Sequence, residues 1–148
     1  MITLTVSTEV RPSEDPDVVH EALETLYPFP QFERREIDDL GTFSLTGVAT
    51  GVEALQDLFQ KVRQQRIVQT IRNQLLSIMD LNNNSVEFMI NKQALTRGKI
   101  SYCRTARESP LGPVYVKICG RDIEKIVDYL FPQTKNGKVL DVDYVPNQ

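Results

Sequence analysis

The sequence predicts an α+β fold, a two-layer sandwich in which a mostly antiparallel sheet has helices packed on one face. Three observations lead there. Short runs alternate apolar and polar residues with a period of two, while longer stretches repeat their apolar residues every three to four positions. Turns built on proline and glycine separate the two kinds of segment. Each strand then has one apolar face and each helix one apolar stripe, and laying stripes on faces buries both. A chain of 148 residues can bury a core without disulfides or metals. The expectation is a single domain over 1–148, with 133–148 a less distinctive tail.

Ile2, Leu4 and Val6 alternate with threonine and serine and predict a first strand running to about Val10. The turn Pro12 to Pro16 leads into a helix whose Val18, Val19, Ala22, Leu23 and Leu26 fall at helical spacing; it must stop before Pro28. Phe32 to Ile37 and Phe43 to Ala49 read as a hairpin around Asp38-Asp39-Leu40-Gly41. The longest helical signal follows, Glu53 to Met79. At roughly 100° per residue its two apolar stripes, Leu55-Leu58-Phe59-Val62 and Ile67-Ile71-Leu75-Ile78, lie about 160° apart. The switch falls at Arg63-Gln64-Gln65-Arg66, so either two helices meet there or one helix leaves its first support for a second.

Ser85 to Ile90 predicts another strand, and these six elements spell the βαββαβ order. Asn91 suits the cap of a short helix over Lys92 to Thr96, closed by Gly98 in a left-handed conformation. Ile100 to Arg104 reads as a strand, Ser109 to Pro113 as a turn, and Val114 to Cys119 as a strand with Val114, Val116 and Ile118 inward. Gly120-Arg121-Asp122 opens the last helix, which ends before Pro132. Beyond it come an Asn136-Gly137 turn and a weakly alternating run, Val139 to Val145, able to add an edge strand or to pair with a second copy.

Charge is strongly segregated. Residues 1–60 carry three Lys/Arg against twelve Asp/Glu, residues 61–121 eleven against three, although the whole chain is at only −3. Phosphate responds to the local field, so a basic middle section attracts nucleic acid even in a chain of acidic pI. The opposing reading is that the two sections neutralise each other through surface pairs.

Chemistry other than binding finds little support. Cys103 and Cys119 lack metal-ligand spacing, and neither a Gly-x-Gly-x-x-Gly nor a Gly-Lys-Ser/Thr pattern occurs. No cofactor or metal is therefore expected. His20 has no nucleophile or second histidine near it in sequence, and Ser109 precedes proline in a turn without the strand-to-helix elbow of a hydrolase. No catalytic residue is assigned, and the reading leans away from an enzyme. The N-terminus lacks a signal peptide's basic start and apolar core, and no apolar run approaches the ~20 residues of a membrane span. A cytoplasmic protein without a membrane partner is expected.

Four stretches, in order, carry a family resemblance: Val10-Arg11-Pro12-Ser13-Glu14-Asp15, Arg63-Gln64-Gln65-Arg66-Ile67, Asn91-Lys92-Gln93-Ala94 and Ser109-Pro110-Leu111-Gly112-Pro113. Through them the chain resembles a family of uncharacterised archaeal proteins of about this length. That family is similar in fold to the ribosomal protein that binds 5S rRNA, which implies a two-layer α+β domain and a mostly antiparallel sheet.

The function expected is RNA interaction through the basic section 61–121, with structured RNA as partner. Arg63, Arg66, Arg72, Lys92, Arg97, Lys99, Arg104 and Arg107 are the candidate contacts. Only Tyr102 and Tyr115 supply aromatic rings in that half. Lys92-Gln93 with the Ser109 to Pro113 loop forms an alternative small-molecule site. The alternative function is a non-enzymatic protein-interaction module, or one that forms a homo-oligomer through a strand edge.

Overall fold

The computed structural model describes residues 1–146. Its elements run β1 (Thr3–Val10), α1 (Pro16–Glu24), β2 (Glu33–Glu36), β3 (Phe43–Thr50), α2 (Gln56–Gln64), α3 (Val68–Ile78), β4 (Ser85–Ile90), α4 (Lys92–Thr96), β5 (Tyr102–Cys103), β6 (Val114–Cys119), α5 (Ile123–Leu130), β7 (Thr134–Lys135) and β8 (Lys138–Val139). This is the α+β class that the alternation and the helical stripes predict. Six strands form one open sheet in the order β2-β3-β1-β6-β4-β5. The last long strand, β6, thus lies between β1 and β4, a position no periodicity specifies.

The chain forms two compact units. One comprises Thr5–Ala49 and Phe88–Val116. Its strands bury alternate residues, including Val6, Val10, Phe43, Leu45, Phe88, Ile90, Val114 and Val116, and α1 packs against α4. Asp15 caps α1 by accepting from the Asp17 N–H, and Asn91 caps α4 by accepting from Ala94. Gly98, at φ +75°, closes α4 with the 6→1 bond from Lys99 N–H to Ala94 O.

Both outer strands discourage strand addition. β2 reads Glu-Arg-Arg-Glu and is exposed throughout, while β5 is two residues long. The strand expected over Ile100 to Arg104 is that short because the N–H groups of Arg104 and Thr105 donate to the Glu108 carboxylate, which ends the ladder.

The other unit comprises Met1–Leu4, Thr50–Glu87 and the chain from Lys117 onward. The long helical signal resolves into a 3-10 turn over Val52–Leu55 and two helices, α2 and α3. Two helices meet at the stripe switch because Arg66 adopts φ +60° and Ile67 N–H returns to Val62 O, ending α2 as a glycine normally would. The alternating run after Pro132 joins no part of the main sheet. β7 and β8 form a separate two-stranded hairpin around Asn136-Gly137, and residues 140–146 have no strand. Their polar groups turn back to the helices instead, Tyr144 Oη donating to Lys125 O and Asp141 accepting from Arg63. The expected tail's residues 147–148 lie outside the described residues.

Candidate nucleic-acid interface

The candidate cations divide by what their side chains do. In the unit built on α2, α3 and α5, Arg63 donates to Leu130 O (2.9 Å), Tyr129 O (3.1 Å) and Asp141 Oδ1 (2.7 Å), and its guanidinium lies 3.4 Å above the Phe59 ring. Arg72 donates to Asp128 Oδ1 and to Phe131 O, both at 2.8 Å. These carbonyls belong to the unsatisfied C-terminal turn of α5, where a cation both satisfies acceptors and meets the negative end of the helix dipole. Arg63 and Arg72 therefore close α5, which corrects their assignment as free phosphate donors. Arg66 projects from the α2–α3 junction and is exposed.

In the other unit Lys92 is almost completely buried, at 1% exposure. Its ammonium donates to Glu9 O (2.7 Å), Leu111 O (2.7 Å) and Glu14 Oε1 (2.9 Å). Burial pushes its pKa below the usual lysine range, and the bond and charge of Glu14 partly restore it. With three donors engaged inside the protein, Lys92 leaves the set of phosphate contacts. It works as a staple between the end of β1 and the loop before β6.

Arg97, Lys99, Arg104 and Arg107 are all exposed, and among the described residues none makes an ion pair within 4 Å. They share the short segment from the end of α4 to the 3-10 turn Ala106–Glu108. Its backbone is firmly held. Thr105 and Glu108 form a capping box around the turn, and the Asn91 side chain donates to Glu108 O. β2, with two glutamates and two arginines, lies at the opposite edge of the sheet from β5. The two tyrosines are not presented together. Tyr102 stacks on buried Phe88, with ring centroids 6.3 Å apart, whereas Tyr115 alternates with buried Val114 and Val116 and faces the other way.

A cavity of about 520 Å³ lies beside the Ser109 to Pro113 loop, lined also by Glu9, Arg11, Arg107 and Tyr115. Gln93 and Lys92 are absent from its lining. Ser109 is 2% exposed; its oxygen accepts from Lys92 N–H (3.1 Å), and its hydroxyl donates to Gly112 O (2.8 Å). A hydroxyl so engaged is a structural bond and no nucleophile. Arg11 and Glu9 escaped sequence reasoning because they sit inside the block counted as acidic. The resemblance stretch beginning at Val10 was the available signal for Arg11.

A family model described as RNA binding matches residues 3–118. The chain is 34% identical over 147 residues to a UPF0201 protein of Sulfurisphaera tokodaii, a match covering 99% of each. Its structure resembles the crystal structure of a UPF0201 protein from Methanococcus jannaschii, with a TM-score of 0.80 and 25% identity over 94% of this chain and 99% of that one. A DUF54 protein from Methanothermobacter thermautotrophicus shares the fold at a TM-score of 0.68 and 19% identity, over 86% and 96% of the two chains. Matched along nearly its whole length, the chain belongs to the archaeal UPF0201 family.

Proposed function

We propose that the protein binds structured RNA through the exposed cations Arg97, Lys99, Arg104 and Arg107. The observation that carries this reading is their freedom: four unpaired positive side chains on one well-held segment, inside the stretch matched by the RNA-binding family model. A guanidinium or ammonium already ordered on its backbone loses less freedom on meeting a phosphate than one on a floppy loop. Arg66 is a further exposed contact within the other unit. The likeness of fold to the 5S-rRNA-binding ribosomal protein, and a cytoplasmic location, belong to the same proposal. No helix among the described residues is long and apolar enough to cross a membrane.

Self-association through a strand edge has weaker physical support, since β2 is covered in charge and β5 is very short. The test is titration of a structured RNA at several salt concentrations. Each true phosphate contact contributes about 0.7 to 0.9 to the slope of log affinity against log salt, and alanine at Arg97, Lys99, Arg104 or Arg107 removes that share. Affinity and slope unaltered by all four substitutions would overturn the proposal.

A further inference from the structure

The cavity beside the Ser109 to Pro113 loop has a composition that free cations on a surface lack. Arg11 and Arg107 bring guanidinium groups, Tyr115 an aromatic ring, and Glu9 a carboxylate, around a space of about 520 Å³. Its walls come from two segments far apart in sequence, the end of β1 and the loop before β6. Both are fixed from within by the buried Lys92 ammonium, which holds Glu9 O, Leu111 O and Glu14 together. Thr8 adds a second tie, donating to Pro113 O at 2.9 Å. The cavity is thus formed before any ligand arrives, the condition under which few contacts give useful affinity.

The chemistry of the lining narrows the ligand. Inorganic phosphate would use the two arginines but leaves the ring face of Tyr115 unused and is repelled by Glu9, whose carboxylate stands 3.8 Å from the Arg11 guanidinium. A ribonucleotide uses all four groups. Its phosphate takes guanidinium donors, its base stacks on a tyrosine, and its sugar hydroxyls donate to a carboxylate. A base paired within a helix has neither face free, so the nucleotide must be unpaired. The Ser109 hydroxyl is engaged with Lys92 N–H and Gly112 O, so it belongs to the frame of the cavity.

We propose that this cavity seats one unpaired ribonucleotide of the bound RNA, phosphate on Arg11 and Arg107, base on Tyr115, ribose hydroxyls toward Glu9. This rests on the RNA-binding reading and adds to it a preference for bulges or loops over uninterrupted helix. The experiment compares an RNA hairpin carrying a single-nucleotide bulge, the same hairpin without the bulge, and the bulged hairpin with a 2′-deoxy nucleotide at that position. The full-length protein should bind the bulged RNA about tenfold or more tightly than the paired one, the scale of one base stacked on an aromatic ring. Tyr115→Leu should abolish that preference while leaving affinity for the paired hairpin unchanged, and Glu9→Ala, which removes the acceptor, should abolish the preference for ribose over deoxyribose. Arg107→Ala, on an exposed turn, provides a second variant and should weaken the bulged RNA more than the paired one. Equal binding of bulged and paired RNA, or a bulge preference that survives Tyr115→Leu, overturns the cavity's role, while a loss of affinity in Arg97→Ala would still uphold RNA binding. Failure of every RNA to bind at low salt overturns both.

Discussion

Lys92 and Glu14 form an ion pair of 2.9 Å whose side chains are 1% and 8% exposed. A charge so enclosed survives only when its partners are complete, and here the ammonium has the Glu14 carboxylate and two backbone carbonyls. The pair joins the turn after β1 to the start of α4, the Lys92 ammonium also reaches Leu111 O in the loop before β6, and Arg11 N–H donates to Glu14 Oε1 at 3.0 Å. The staple therefore sets the backbone from which the cavity's Arg11 projects.

Lys92→Met removes the ammonium and leaves a buried carboxylate with two orphaned carbonyls. Removing one partner of a buried pair typically costs about 3–5 kcal/mol. Denaturant unfolding should show a loss of this size, and Lys92→Met combined with Glu14→Leu should recover part of it. A loss below about 1 kcal/mol, the range of an exposed pair, would contradict the staple.

Arg72→Ala and Arg104→Ala should separate stability from binding. Arg72 closes the C-terminal turn of α5 from a side chain only 9% exposed, next to Asp128. Its loss should destabilise the protein by about 1–3 kcal/mol and leave RNA affinity per folded molecule unchanged. Arg104→Ala should change stability by no more than about 0.5 kcal/mol and lower affinity and salt slope together. Paired unfolding and RNA titrations of both variants provide the check.

Arg66 sits at φ +60° where a helix ordinarily ends on glycine. The left-handed conformation costs an L-residue about 1 kcal/mol. Arg66→Gly should accordingly raise stability by up to about 1 kcal/mol while weakening RNA binding in proportion to the one charge removed. A melting temperature that falls would show that the arginine side chain supports the junction in some other way.

Two exposed aspartates set part of the acid response. Asp38 accepts from the backbone N–H groups of Thr42 and Leu40, and Asp80 accepts from the side chain and backbone of Asn83, with Lys117 adding positive charge. Both carboxyls are held below the ordinary value of 3.8. The folded protein then binds fewer protons than the unfolded chain as pH falls, so this stabilisation is complete above that value and disappears through the depressed folded pKa. Asp38→Asn and Asp80→Asn should each flatten the decline of stability with acid in unfolding curves collected from neutral pH to below pH 3.8.

The elements and their faces were written in the sequence because they follow from local chemistry. Alternation marks β1, β3, β4 and β6; the turn Pro12 to Pro16 and the cap Asn91 mark helix starts; the opposed stripes of 53–79 mark the break in the stretch Arg63 to Arg66. Where local chemistry competed with something distant, the reading failed. Arg63 and Arg72 are indistinguishable in sequence from surface arginines until α5 brings its open carbonyls to them, and Lys92 looks like a helix-surface lysine until Glu14 and two carbonyls close around it.

The sequence alone determined the long strands and the helices, though neither the shortness of β5 nor the lack of a strand over 140–146, and it determined that positive charge would concentrate in the middle of the chain. Only the tertiary structure decided which cations remain free, because freedom depends on the acceptors that non-local folding brings within reach. It also decided that Arg11 and Glu9 from the acidic beginning would share a cavity with Arg107 and Tyr115. Strand pairing sets such a meeting, and periodicity specifies the faces of strands but never their neighbours.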